Sequence, residues 1–294
     1  MKRSLKWLGY IVGGIVALTA IAVGTVYAIT SSRLSRTYPL QVEAVAIPTD
    51  SASVERGGHL VKAVGKCGDC HGENLAGTRV MNASIFMKLT APNLTAGQGG
   101  TASRYTDADW VRAIRYGLRP DGKPFIFMPS EAYTALSDSD LGAMIAYLKS
   151  VPPADDAVEP ARAPGPIARI IYFTSDFPLI PAELIDRDRT RAEVAPGVTV
   201  EYGKYLSDAG GCTGCHLPTL AGGRAMERVV TTNLTRGGPL GAWTEQDFIK
   251  AMRTGVRPDG TTISDVMPWK SMGHLTDDEL RATWLFMRSV PPAS

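Results

Sequence analysis

Apolar and polar positions alternate along this chain in two quite different ways. From Leu8 to Ile29 the run LGYIVGGIVALTAIAVGTVYAI holds 22 residues without a charge. As a helix it covers about 33 Å at about 1.5 Å per residue, enough to cross a bilayer. Farther on, apolar residues recur at helical spacing between polar ones. Leu141, Met144, Ile145 and Leu148 make one buried stripe, which predicts a helix starting after Ser137 and stopping before Pro152-Pro153. A matching helix starts after Thr276 and stops before Pro291-Pro292, with Asp140 and Glu279 placed to complete capping boxes. Middle helices are predicted near Asp107 to Tyr116 and Glu245 to Thr254, where Thr106 and Thr244 stand at the N-cap and Gly117 and Gly255 just past the end. First helices are predicted near Val54 to Val64 and Val200 to Ala209. No alternating strand pattern of useful length intervenes, so the expected fold class is all-α.

These helices come in two sets because the sequence repeats at an offset of about 140 residues. ERGGHLVKAVGKCGDCHGENLAG from Glu55 meets EYGKYLSDAGGCTGCHLPTLAG from Glu201. YTDADWVRAIRYGLRPDG from Tyr105 meets WTEQDFIKAMRTGVRPDG from Trp243, and LSDSDLGAMIAYLKSVPP meets LTDDELRATWLFMRSVPP. Blocks this long in the same order predict a duplicated domain, not a solenoid unit. The expected organisation is residues 1–32 as tail and membrane segment, 33–54 as spacer, 55–153 and 201–294 as two domains, and 154–200 as linker. The linker opens with ADDAVEPARAPGP, but its apolar part IARIIYFTSDFPLIPAELI is expected to pack across both domains.

Charge narrows the partners. The chain has 31 basic and 29 acidic residues, but Lys2, Arg3 and Lys6 precede the apolar run, and residues 33–294 hold 28 basic and 29 acidic ones. That balance offers no basic face, so no nucleic-acid partner is expected. The basic tail before the run predicts that the tail stays cytoplasmic and residue 33 onward lies outside. Val26-Tyr27-Ala28 leaves a cleaved signal peptide as the alternative to an anchor, although the run exceeds the usual signal length.

The chemistry lies in CGDCH at Cys67–His71 and CTGCH at Cys212–His216, which use all four cysteines. C-x-x-C-H is the c-type haem attachment pattern. Cys67 and Cys70, and likewise Cys212 and Cys215, are spaced to bond the two vinyl groups on one edge of a porphyrin, and His71 and His216 follow at the position that reaches the iron. Zinc or dithiol chemistry uses C-x-x-C too, but a redox dithiol wants a βαβ setting and no ligand histidine. Two covalently bound haem c groups are the expected cofactors. Met128-Pro129 and Met267-Pro268 coincide in the duplication, 57 and 51 residues after His71 and His216. Both methionines are expected as the second axial iron ligands, a pairing that raises the reduction potential, against core filler as the bland reading. His59 and His274 lack histidine counterparts and are expected to face solvent. Gly57 and Gly203 are placed to let the first helix cross closely over Tyr147 and Phe286 of the last. Arg119 and Arg257 read either as haem propionate partners or as solvated turn arginines. Asn93 and Asn233 read either as propionate contacts or as turn residues.

Each half, with its short helix, C-x-x-C-H, Met-Pro step and a closing helix of the form LxDxxL…SVPP, resembles a class I cytochrome c domain. The pair resembles the membrane-anchored dihaem cytochromes c found beside bacterial dehydrogenases and respiratory oxidases. The resemblance covers about 55–153 and 201–294. It implies a helical wrap around each haem that leaves one ring edge near the surface. Expected from it is an electron carrier of the bacterial inner membrane with its haem domains in the periplasm. Such a carrier takes single electrons from a dehydrogenase or quinol-oxidising donor and passes them to a cytochrome or terminal oxidase. The alternative is a peroxidase-like dihaem enzyme, which needs an open iron position that two Met-ligated haems do not offer. A sensor would need a signalling segment on the cytoplasmic side, where about seven residues precede the span.

Overall fold

A computed structural model describes residues 2–293 except 156, 157, 159, 160, 176–178, 188–190, 227 and 228. Part of the linker run ADDAVEPARAPGP therefore lies outside the described residues. Helix α1 (Lys2–Ser35) carries the apolar run, and large side chains from Trp7 to Ile29 are exposed along it. The first half then builds α2 (Ser51–His59), a wider π-helical turn over Leu60–Val64, the short α3 (Cys67–His71), strands β1 (Thr78–Ala83) and β2 (Met87–Ala91), α4 (Asp107–Tyr116), α5 (Ser130–Tyr133) and α6 (Asp138–Ser150). The connecting segment holds β3 (Arg162–Pro164), α7 (Pro166–Thr174) and a 3-10 turn over Pro181–Glu183. The second half builds α8 (Val200–Ala209), α9 (Cys212–His216), β4 (Gly223–Met226), β5 (Val229–Thr231), a 3-10 turn over Pro239–Ala242, α10 (Glu245–Thr254), α11 (Trp269–Met272) and α12 (Asp277–Ser289).

The expectation of an all-α fold needs amending. Strands β1, β2 and β3 form an antiparallel sheet in that order, and β4 pairs with β5. In β2 buried Met87 and Leu89 flank exposed Lys88, an alternation only three to five residues long and too short to outweigh the helical pattern around it. The caps follow local chemistry. Thr106 and Thr244 form reciprocal boxes with Asp109 and Asp247, and Gly117 and Gly255 end their helices in the left-handed region.

Within each half the first and last helices cross at a glycine. A Cβ on Gly57 would lie 1.9 Å from the Ala143 carbonyl oxygen, and one on Gly203 the same distance from that of Ala282. The close partner is thus a backbone carbonyl, while Tyr147 packs on Gly58.

The two halves meet through α2, α6, α8 and α12. Arg56 donates to both carboxylate oxygens of Asp140 at 3.1 Å, to Glu279 at 3.0 Å and to the Tyr202 hydroxyl at 2.9 Å. Tyr205 donates to Asp140 at 2.6 Å, and its ring stacks on Tyr202. His59, expected to face solvent, instead lies 2.6 Å from Glu279, whereas His274 is exposed. The connecting segment differs from expectation as well. Leu179 and Ile180 are buried, but α7 packs on the end of α1 and leaves Ile167, Ile170 and Phe173 exposed.

Candidate haem sites

Each cysteine pair sits on a single helical turn entered from a left-handed residue, Lys66 (φ 51°) or Gly211 (φ 72°). A lysine there costs more backbone strain than glycine. Its ammonium donates to the carbonyls of Val64 and Gly210, both at 2.8 Å, which holds the turn. Thr78 and Thr231 tie the turns from the far side by donating to the carbonyls of Cys70 and Cys215, at 2.7 and 2.9 Å.

None of the four cysteines pairs in a disulfide. Burial pushes Cys67 up to about 12 and raises Cys70, Cys212 and Cys215 in the same direction, so the sulfurs stay protonated and poorly suited to thiolate chemistry. Among the described residues no three Cys, His, Asp or Glu side chains form a group that could hold a metal ion.

Nδ1 of His71 lies 2.8 Å from the Pro92 carbonyl and Nδ1 of His216 lies 2.8 Å from that of Thr232. A carbonyl can only accept, so both Nδ1 atoms carry the proton and Nε2 keeps its lone pair for a metal. Burial lowers both imidazoles below the usual histidine range, which keeps them neutral.

A cavity of about 570 Å³ opens beside the first turn, lined by Cys67, Cys70, His71, Trp110, Met128 and Tyr133 among mainly apolar neighbours. Its size falls in the range of small-molecule and cofactor pockets. The structure thus brings Met128 to the same cavity as His71 and its cysteines. Phe127 (φ 63°) precedes Met128, and its N–H donates to the Leu179 carbonyl at 3.0 Å, so the connecting segment braces the methionine loop. The Tyr133 hydroxyl donates to the Gly65 carbonyl at 2.5 Å, just before the cysteine turn. Part of the cavity wall comes from the second half, from Cys215, Val266 and Pro268. His216 is buried and Met267 is half-buried in the loop before α11. Cysteines, imidazoles, methionine and apolar walls fit a covalently held porphyrin in the first half, and the same donor types recur in the second.

The remaining expected contacts are redistributed. Asn93 donates to the Ala154 carbonyl at 2.6 Å and accepts from the Thr95 N–H at 2.8 Å. Asn233 does the same with Ala293 and Thr235, at 2.7 and 2.8 Å. Both asparagines staple the chain that follows the last helix. Arg257 donates to the Thr261 hydroxyl and the Thr262 carbonyl and closes its own turn. Arg119 lies 3.4 Å from Asp121. Sequence reasoning missed Arg162, which lines the cavity from β3. Burial and the adjacent Arg119 push its guanidinium below the usual arginine range, so two cations lie close enough to repel. Arg162 has no counterpart in the repeat, and nothing in the duplication could have singled it out. Sequence reasoning also passed over Lys66, whose signal is that the second copy has Gly211 at the same place.

Residues 54–152 match the protein family described as Cytochrome c. The chain is 32% identical to the "Alcohol dehydrogenase (quinone), cytochrome c subunit" of Gluconobacter oxydans (strain 621H), over 84% of this chain and 57% of that protein. It is 28% identical to the "Fructose dehydrogenase cytochrome subunit" of Gluconobacter japonicus, over 93% of this chain and 59% of that protein. It is 26% identical to a "Diheme cytochrome c-type" protein of Cereibacter sphaeroides, over 80% and 85% of the two chains. The chain spans little more than half the length of the dehydrogenase subunits it matches. The family match thus falls on residues 54–152, the part of the chain that holds the first cysteine turn, His71 and Met128.

Proposed function

We propose that the chain is a dihaem c-type cytochrome that carries single electrons from a dehydrogenase to a downstream cytochrome or terminal oxidase. In this reading residues 201–294 form a second cytochrome c domain, and α1 anchors both domains at the outer face of a bacterial inner membrane. The observation that carries it is the repeated site: two cysteines on one turn, followed by an imidazole whose Nδ1–H is held by a backbone carbonyl. The relatives named as cytochrome subunits of dehydrogenases support the choice of donor.

Bound haem supplies a one-electron Fe(II)/Fe(III) couple. Cys67, Cys70, Cys212 and Cys215 would hold the two haems through thioether bonds, formed by addition of each S–H across a vinyl group. His71 and His216 would offer Nε2 to iron, and Met128 and Met267 would serve as the thioether ligands. Arg119 and Arg162 supply the positive charge that propionates require, which relieves the repulsion between the two guanidiniums. The presence of Cys215 in the wall of the first cavity supports two neighbouring sites, as an intramolecular electron relay needs.

The test is covalent stoichiometry. Acid-denatured, solvent-extracted protein should retain two haems per chain by mass and by the absorbance of the reduced pyridine complex. Pigment that leaves the polypeptide, or a chain with none, overturns the proposal.

A further inference from the structure

Helix α7 has two distinct faces. Ala168 and Tyr172 are buried, while Ile167, Ile170 and Phe173, three residues apart on the other side, are 42%, 47% and 42% exposed. Ile85, in the turn between β1 and β2, is 65% exposed, and its carbonyl accepts from the Ile167 N–H at 3.1 Å. Among the described residues these four side chains form an uncovered apolar patch. In water such a patch is costly, and patches of this kind mark an interaction surface.

The position of α7 says what covers it. Arg169 donates to the hydroxyls of Thr30 and Ser31 at 2.6 and 3.0 Å, and its guanidinium lies 4.7 Å from the centre of the Tyr27 ring. Tyr172 donates to Glu183 at 2.6 Å, and Glu183 pairs with Arg33. Helix α7 is therefore fixed to the last turns of α1, where the exposed apolar surface of α1 ends. The patch continues that surface sideways. Beside it the exposed Arg36 and Arg187 flank the Tyr38 ring, which gives a cationic rim at the same level. An apolar face, aromatic rings and a basic rim at the end of a spanning helix match the boundary between acyl chains and headgroups.

We infer that α7 and Ile85 dock on the outer leaflet of the bilayer that α1 crosses, with Ile167, Ile170 and Phe173 among the upper acyl chains and Arg36 and Arg187 on lipid phosphates. This inference rests on the anchor reading of α1. Two contact points, a spanning helix and an interfacial one, fix the orientation of the haem domains where α1 alone would leave them to swivel. The segment that docks also begins at Arg162 in the cavity wall, so the membrane contact braces the haem site.

The experiment places the photoreactive residue p-benzoylphenylalanine in the full haem-loaded chain, at one position per variant. The positions are 170, 173, 15 within α1, and 230, an exposed valine in β5. Each variant is reconstituted in nanodiscs of phosphatidylethanolamine and phosphatidylglycerol, irradiated and examined by mass spectrometry. Lipid adducts are expected at 15, 170 and 173 and not at 230. An adduct at 15 without one at 170 or 173 overturns the docking and leaves the anchor standing. No adduct at 15, with the chain released by alkaline carbonate, overturns the anchor and the docking together. Irradiation in native membranes that joins 170 to a protein instead of lipid assigns the face to a partner and also overturns the docking.

Discussion

Lys66 reaches from the turn before one cysteine pair to donate to the carbonyl of Gly210, two residues before the other, at 2.8 Å. No carboxylate is hydrogen-bonded to the ammonium among the described contacts, only the Val64 and Gly210 carbonyls. A half-buried positive charge beside both sites favours the reduced, less positive iron. At an effective dielectric of about 20, one charge acting over about 10 Å is worth about 1–2 kcal/mol. For a one-electron couple that is tens of millivolts. Lys66→Met should therefore lower both potentials in a spectroelectrochemical titration, and unchanged potentials would refute the role. Burial pushes the Lys66 ammonium below the usual lysine range, so its charge is lost as pH rises toward that range. The native potentials should decline on the alkaline side, and the methionine variant should lack that contribution.

The glycine crossings make a sharper stability prediction. A methyl group at Gly57 or Gly203 would overlap a carbonyl oxygen of the facing helix at 1.9 Å, a backbone atom that cannot swing aside. Gly57→Ala or Gly203→Ala should cost about 3 kcal/mol or more, at or above the upper end for overpacking. Gly197→Ala serves as the comparison, because the nearest atom to its Cβ is 3.8 Å away, in ordinary contact. Thermal unfolding of the three variants checks this, and equal midpoints would dismiss the close crossing.

Features set by neighbours in sequence were readable from it, and features set by distant partners were not. Thr106 and Thr244 cap their helices and Gly117 and Gly255 end them because those choices depend on groups within one turn. The cysteine turns were readable for the same reason. Asn93 was ambiguous because its partner Ala154 lies 61 residues away, and only the fold brings that carbonyl to it. His59 was misplaced in solvent because Glu279, 220 residues on, belongs to the other half. The hairpins were missed because three to five alternating residues carry too little signal beside longer helical stripes. Arg162 enters the cavity from a segment outside the repeat, so comparing the two copies was blind to it.

The junction around Glu279 predicts sensitivity to acid. Burial alone would raise this carboxyl, but hydrogen bonds from His59 and the Thr276 N–H, with Arg56 nearby, overcome that and hold it at about 2. The folded value lies below the unfolded one of about 4.3, so the stability it contributes is present above about pH 4.3 and is lost as pH falls toward 2. Glu279→Gln keeps the size and removes the charge, leaving Arg56 with Asp140 alone. That variant should be less stable at neutral pH by about 3 kcal/mol, the usual cost of breaking a buried pair. Its midpoint should also vary less than that of the native chain between pH 4.3 and 2. Denaturant titrations at neutral and acidic pH measure both quantities, and an identical acid response in the two proteins would discard the assignment.

The methionine assignment is tested where the structure is most asymmetric. Met128 faces the described cavity and is braced through the Phe127 N–H bond to Leu179, while Met267 sits half-buried in the loop before α11. If both are iron ligands, the oxidised protein should show the weak absorption toward the red that an iron–thioether bond produces. Met128→Ala should remove about half of that band, and Met267→Ala the other half, since each ligand serves its own iron. Each loss should also lower one of the two potentials and leave the other nearly in place, because the thioether raises the potential of the iron it binds. A band that survives Met128→Ala undiminished would return Met128 to the role of cavity lining. Loss of the whole band from that single change would instead mean that Met267 does not ligate, and that the two halves differ at the iron despite their shared motif.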